Sequence, residues 1–313
     1  MFPPDMKFLA VFLLLLFSAS AFAQSSPANP VRIVVPFPPS GGADALVRIM
    51  APKLSETWKT QVIVENKPGA SGRIGADQVA QSPADGQTLL MGSTAVLTEK
   101  NVHQLAPISL VSASPYVLVF SFKNSLSSVK EFISYAKANP GKLTFGSSGM
   151  GAASQLSGEL FKWMAKVDLL HVPYKGMGQA TTDLLAGQID LIFAPAQAVM
   201  QHVKAGKLKA IATTGAQRTA TLRELPTVAE SGVPGYESLG WFGLFAPAAT
   251  PKTTVEKLSA DVNRVLADPG IRKKLQDLGA DPAGNTPEEF ARFIRDDQAK
   301  WARLVREAGL KLE

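Results

Sequence analysis

The run Val31-Arg32-Ile33-Val34-Val35-Pro36-Phe37-Pro38-Pro39-Ser40-Gly41-Gly42-Ala43-Asp44 decides the architecture. It starts as an apolar β-type strand, breaks at a Pro/Gly turn and opens into a helical pattern with Leu46, Val47, Met50 and Leu54 on one face. A helix that begins straight after a strand presents unpaired backbone N–H groups and the positive end of its peptide dipoles. Its default small partner is therefore a carboxylate or another anion. Pro52 falls inside the helical pattern and, by deleting one backbone hydrogen bond, predicts a kink or an early end.

Outward from this unit the chain alternates β-type runs with helical patterns, the mark of an α/β architecture with mostly parallel strands. A strand over 61–65 precedes a glycine-rich segment, Asn66 to Gly75, whose glycines at 69, 72 and 75 match neither a dinucleotide nor a P-loop fingerprint. A helix near 75–81 and a strand over 88–92 follow. Pro107 to Phe122 is too long for an average strand and is interrupted by Pro115; it reads as a first interdomain crossover, with Tyr236 to Pro247 carrying the chain back. Between them lies a second α/β set. Its strands are expected over 143–147, 169–174, 189–193 and 208–213, and its helices over 128–138, 151–166, 179–186 and 197–205. The tail reads as helices over 251–267, 270–278 and 287–308, the last opened by a Thr286/Glu289 capping box, and all three are expected to pack on the first domain. The division is thus 24–110 plus 246–313 for domain one and 111–245 for domain two, each a mostly parallel sheet flanked by helices.

The N-terminus has Lys7, an unbroken apolar run from Phe8 to Phe17, and Ala21-Phe22-Ala23 before Gln24. That order predicts a secretory signal peptide over 1–23, cut after Ala23; the apolar run is short of the ~20 residues that span a bilayer. The 313-residue chain then keeps 290 residues and its net charge of +6, because Asp5 and Lys7 leave together. Such a length suits two cores better than one. With no cysteine there is no disulfide, no thiolate nucleophile and no lipidated N-terminal Cys, which fits a freely diffusing periplasmic protein. Lys and Arg are scattered along helices and no basic run reaches five residues, so the footprint of nucleic-acid binding is missing.

Domain two repeats the opening device: a strand into Gly146-Ser147-Ser148-Gly149-Met150-Gly151-Ala152-Ala153-Ser154, then a helix. Two glycine-rich helix starts, one per domain, read as facing arms of a cleft, each adding dipole stabilisation of about 0.3–1 kcal/mol when exposed and up to about 2 when partly buried. On this reading Gly42→Val and Gly151→Val abolish binding equally. Asp44, in the first helical turn, offsets the dipole and is expected to bond backbone N–H groups or a neighbouring loop. His103, His171 and His202 lack metal-ligand spacing, and Gly146-Ser147-Ser148-Gly149-Met150 is not a hydrolase elbow. A periplasmic hydrolase or isomerase on the same architecture stays as the alternative, and it requires a nucleophile–base or acid–base pair in the cleft. The effector half of a transcription regulator is disfavoured by the signal peptide and the absence of a helix-turn-helix.

Six segments resemble the Bug-type substrate-binding receptors of tripartite tricarboxylate transporters: residues 31–44, Val62 to Ala76, Ala84 to Gly92, His171-Val172-Pro173-Tyr174-Lys175-Gly176, Pro226 to Gly232, and Trp241-Phe242-Gly243-Leu244-Phe245-Ala246-Pro247. The resemblance covers essentially the whole mature chain. It implies a two-domain periplasmic binding protein, type II-like, with two crossover strands and no enzymatic activity. Such a protein closes on a small carboxylate, needs no cofactor or metal, and works as a monomer that delivers ligand to membrane permease subunits or reports it to a sensor kinase. By the same resemblance, ligand contacts fall on Phe37, Ser40, Gly41, Gly42, Ala43 and Asp44 in domain one. In domain two they fall on Ser147, Ser148, Gly149, Met150, Gly151, Ala152 and Ser154, with Tyr174, Ala194, Pro195 and Gln197 nearby.

The chain also departs from the family. Ala43 stands where a hydroxyl is usual, Gly151-Ala152-Ala153-Ser154-Gln155 where Gly-Ser-x-Ser-His is frequent, and Ala194-Pro195 where Asp-Asn is usual; Ser93 to Ala106 is shorter than the family's segment. Fewer hydroxyls leave the grip to backbone amides, and the lost carboxylate argues against an amino-acid ligand. These departures favour a dicarboxylate or aromatic acid, flanked by Phe37 and Tyr174.

Overall fold

Strand β1, Val31–Val35, buries every residue but Arg32 because it is the middle strand of three. In the computed structural model, which describes residues 29–39, 41–98, 100–219 and 221–310, β1 runs parallel to β2 (Val62–Asn66) on one side and β3 (Thr88–Gly92) on the other. The signal peptide expected over 1–23 and Ser40 lie outside the described residues. A central parallel strand is covered on both faces. Ile33 and Val35 accordingly pack with α1 (Gly42–Trp58), α7 (Lys252–Ala267) and α8 (Pro269–Asp277), while Val34 packs with α2 (Arg73–Ala80) and the first half of α9 (Pro287–Ala308). Each of Leu46, Val47, Met50 and Leu54 of α1 is buried as the periodicity predicts, a gain of about 1.5–3 kcal/mol per side chain before entropy. Helix α1 runs through Pro52 to Trp58 instead of ending there. Pro52 and Arg48 are both exposed, so the Arg48 carbonyl that loses its intrahelical partner faces solvent.

The sheet has the order β2-β1-β3-β9-β4-β7-β5-β6, with β8 also paired to β4. Here β4 is Leu105–Ser121, β5 Thr144–Ser147, β6 Leu170–Pro173, β7 Leu191–Pro195, β8 Leu208–Thr213 and β9 Leu239–Pro247. The outer groups β2-β1-β3 and β7-β5-β6 are parallel, and the central β9 and β4 are antiparallel to each other and to their neighbours. Strand β4 is continuous for 17 residues, with register shifts after Pro107, Leu110 and Leu118. Pro115 does not interrupt it. Its pairing with β9 ends at Pro115 and its pairing with β7 begins at Tyr116, so the proline sits at the change of partners, where a missing N–H costs the ladder least.

The second parallel group is covered by α3 (Val129–Ala138) and α4 (Ala153–Ala165) on one face, and by α5 (Met177–Ala186) and α6 (Ala196–Lys204) on the other. Phe120, Phe132, Phe145, Phe161 and Phe193 form its aromatic core. Thr286 and Glu289 make the expected capping box at the start of α9. This helix does not rest on the first group alone: Phe290 and Ile294 join the first core, whereas Trp301 and Leu304 join the aromatic core of the second. At 22 residues, about 33 Å, α9 is long enough to bridge both.

Candidate functional site

The Pro36–Pro39 segment ends the β1 ladder and turns the chain into α1, whose N-cap Gly41 supplies no side-chain cap. What holds this turn is the first-turn carboxylate. Asp44, 2 % exposed, accepts from Arg48 Nε at 2.9 Å and from Asn66 Nδ2 at 3.0 Å, and the same Asn66 amide donates to the Phe37 carbonyl at 3.1 Å. Of the two roles expected for Asp44, the structure shows the tie to a neighbouring segment, the end of β2. The Arg48 guanidinium, held above its ordinary pKa by the Asp44 carboxylate, offsets the negative charge that would repel an anion at the helix start.

In the second arm the polar side chains are turned inward. Ser148 N–H donates to Ser154 Oγ at 3.0 Å, Gly149 N–H to Ser147 Oγ at 3.2 Å, Gly151 N–H to Gln155 Oε1 at 2.6 Å and Ala152 N–H to the Gly149 carbonyl at 3.3 Å. Ser147, Ser154 and Gln155 are buried. The amides of Ser148, Gly149 and Gly151 are thus occupied by side chains of the same segment, and that of Ala152 by a carbonyl of the turn. What α4 keeps for a partner are the first-turn N–H groups that helix geometry leaves without an intrahelical acceptor. Tyr174 packs its ring over Gly146 and donates its hydroxyl to Asp183 at 2.8 Å; burial, then this bond, pushes the hydroxyl pKa up to about 12. Ala194 is fully buried in the cluster with Ala180, Leu184 and Val199. Met150 is exposed at the tip of the turn.

Strands β5 and β7 are parallel neighbours, so α4 and α6 both follow from the same edge of the sheet, one on each of its faces. That edge meets α1 directly. A Cβ at Gly42 would stand 3.3 Å from Gln197 Nε2 and 3.8 Å from the Phe242 ring. A Cβ at Gly279, in the turn after α8 at φ +74°, would stand 3.1 Å from Ala196 Cβ and 3.3 Å from Gln197 N. The starts of α1 and α6 therefore face each other, with Gln197 between them. Helices α1, α4 and α6 all lack side-chain caps, whereas α3, α8 and α9 are capped by Ser128, Asp268 and Thr286. Helices α2, α5 and α7 are also bare, so the convergence of the helix starts marks the place rather than their bareness.

Phe37 packs edge-on against Phe242 with ring centroids 6.3 Å apart; Phe242 lies on β9, beside Gly42. Sequence reasoning missed Phe242, Asn66, Arg48 and Gly279 at this place. The first two lay inside quoted motifs, and Arg48 four residues after Asp44 is an ion-pair spacing. Gly279 carried no local signal.

The family model described as "Tripartite tricarboxylate transporter family receptor" matches residues 46–310. The chain belongs to this family. It is 34% identical over 307 residues to protein BugT of Bordetella pertussis, covering 95% of this chain and 94% of the relative. Among solved structures it is similar to Rhodopseudomonas palustris Rpa4515 with adipate (34% identity, TM-score 0.82, 91% of this chain and 99% of that one). It is similar as well to MatC from the same organism with bound malate (30% identity, TM-score 0.78, 88% and 98%).

Members of the tripartite tricarboxylate receptor family are solute-binding receptors and not enzymes, with the two-domain α/β fold of periplasmic binding proteins. Among the described residues the receptor does hold a Ser–His pair, Ser147 Oγ and His171 Nε2 at 2.7 Å. Ser147 is fully buried and bonded to the Gly149 turn, while His171 stacks on Phe145 and is lowered to about 4 by burial and then by Lys162. The pair locks β5 to β6 and sets the turn. Among the described residues, no group of His, Asp and Glu is placed to hold a metal, and no helix is long and apolar enough to cross a membrane.

Proposed function

We propose that this receptor works in the periplasm, where it captures a small carboxylate between its two lobes and delivers it to the permease subunits of a tripartite tricarboxylate-type transporter. The observation that carries the reading is the approach of the α1 and α6 helix starts at Gly42 and Gln197, with the Asp44 charge offset by Arg48. Two helix starts converging on one point favour an anion there. The relatives solved with adipate and malate support a carboxylate, and the Phe37–Phe242 wall supports a dicarboxylate with an apolar chain or an aromatic acid. The proposed lobes are 24–110 plus 246–313 and 111–245, with α9 resting on both; residues 1–23 are proposed to direct export and to be removed after Ala23. The receptor is proposed to act as a monomer.

Native mass spectrometry of the protein purified from its periplasm tests this reading. A co-purified acid of one mass, lost on denaturation and restored by adding it back, is the expected result. Turnover of that acid by the protein would overturn it.

A further inference from the structure

Resting on that reading, we infer that Gln197 is the specificity-determining residue of the second lobe: its side-chain amide closes over the carboxylate seated at the start of α1. The inference comes from following each polar side chain of the second arm to its partner. Ser147 is held by His171 and the Gly149 turn, Ser154 by Ser148, Gln155 by the Gly151 amide, and Tyr174 by Asp183. Gln197 alone among these candidates is exposed and has no hydrogen-bond partner among the described residues.

Its position is equally particular. The Nε2 end lies over Gly42, at the α1 start, and the Oε1 end lies 3.5 Å from where a Gly279 Cβ would be. A Cβ at Gly279 would crowd Ala196 at a φ of +74°, and one at Gly42 would press on the amide itself, so glycine at both places leaves the Gln197 side chain its room. The amide thus offers two N–H donors to an oxygen held by the α1 backbone, while its carbonyl end lies toward the turn after α8 in the same first lobe. A neutral donor tolerates a carboxylate without balancing its charge, so selectivity comes from hydrogen bonding and fit. Phe242 borders the same spot and excludes water from one side, which strengthens a hydrogen bond made there.

The test measures affinity for adipate, malate and benzoate by calorimetry on the wild-type chain and on Gln197→Met, Gln197→Asn and Gln197→Glu. Met keeps the length and removes the amide, Asn keeps the amide and shortens it, and Glu is isosteric but anionic. The expected order is a loss of about 10- to 100-fold for Met, the range of a hydrogen bond to a charged group, and more than 100-fold for Glu by like-charge repulsion. Asn should bind between wild type and Met. The ratio of affinities among the three acids should change in Asn. Since Gln197 is exposed, melting temperatures without ligand should stay within about 2 °C of wild type for Met and Asn, which separates a binding role from a structural one. Equal binding by wild type and Gln197→Met would overturn the role of Gln197 and leave the receptor reading standing. Failure of the wild-type chain to bind any of the three acids would overturn the reading beneath it.

Discussion

Asp297 of α9 is the most consequential buried carboxylate outside the cleft, and its removal makes a stringent test of the packing described above. It accepts from Trp241 Nε1 of β9 at 3.0 Å, from Trp301 Nε1 at 2.9 Å and from Thr94 Oγ1, in the loop after β3, at 3.1 Å. Asp297, Trp241 and Trp301 are all buried. Asp297→Ala leaves two indole N–H groups without a partner in the interior, each costing about 1–3 kcal/mol, whereas the Thr94 hydroxyl can rotate. The expected loss is about 3–5 kcal/mol, or a fall in melting temperature of roughly 6–20 °C at about 2–4 °C per kcal/mol for a large domain. Asp297→Asn keeps one acceptor oxygen but turns an NH2 toward the second donor, so it should lose about half as much. Thermal unfolding followed by circular dichroism, with tryptophan emission as a second probe, measures both. An Asp297→Ala protein that melts within about 2 °C of wild type would refute the reasoning, since two buried donors cannot lose their acceptor without cost.

Two further predictions concern the arms of the cleft. The sequence treats Gly42 and Gly151 as equivalent, but the structure separates them. Gly42→Val drives a side chain against Gln197 and Phe242 and should weaken carboxylate binding by more than 100-fold in calorimetry, while Gly151→Val meets nothing within 4 Å and instead strains a φ of +72°, costing about 1–2 kcal/mol in an unfolding titration. His171 is accommodated neutral, with its pKa lowered from 6.5 to about 4, so the unfolded chain binds a proton before the folded one does. Its contribution is complete above pH 6.5 and is lost as pH falls toward 4. His171→Gln, which keeps a hydrogen-bonding group near Ser147, should therefore show a shallower loss of stability across that window in denaturant midpoints; parallel slopes would contradict the assignment.

Local chemistry made much of the fold legible. The alternation of β-type runs and helical faces locates the described strands and α-helices within a few residues, and Thr286, Pro287 and Glu289 specify the start of α9 because cap and box are satisfied within four residues. Pro52 does not end its helix and Pro115 does not interrupt its strand. In both cases the lost N–H falls where little depends on it: at an exposed helix face for Pro52, and at a change of sheet partners for Pro115. The second arm shows the limit in the site itself. Ser147 and Ser154 are ligand contacts by the resemblance, yet together with Gln155 they point inward to hold the Gly149–Gly151 turn, and nothing in their spacing states which way they face.

By itself, then, the sequence determined the α/β class, the two glycine-rich helix starts and the family, because strand and helix periodicity, turn chemistry and motif residues are properties of neighbours along the chain. Only the tertiary structure decided that the start of α6 approaches α1 at Gln197, that Phe242 backs Phe37, and that α9 belongs to both cores. Those outcomes join residues more than 70 positions apart, such as Gly42 with Gln197 and Gln197 with Gly279, and are set by how the parallel groups meet across β4 and β9. The start of α1 is legible in the sequence as a place for an anion; what approaches it is a matter of three-dimensional packing.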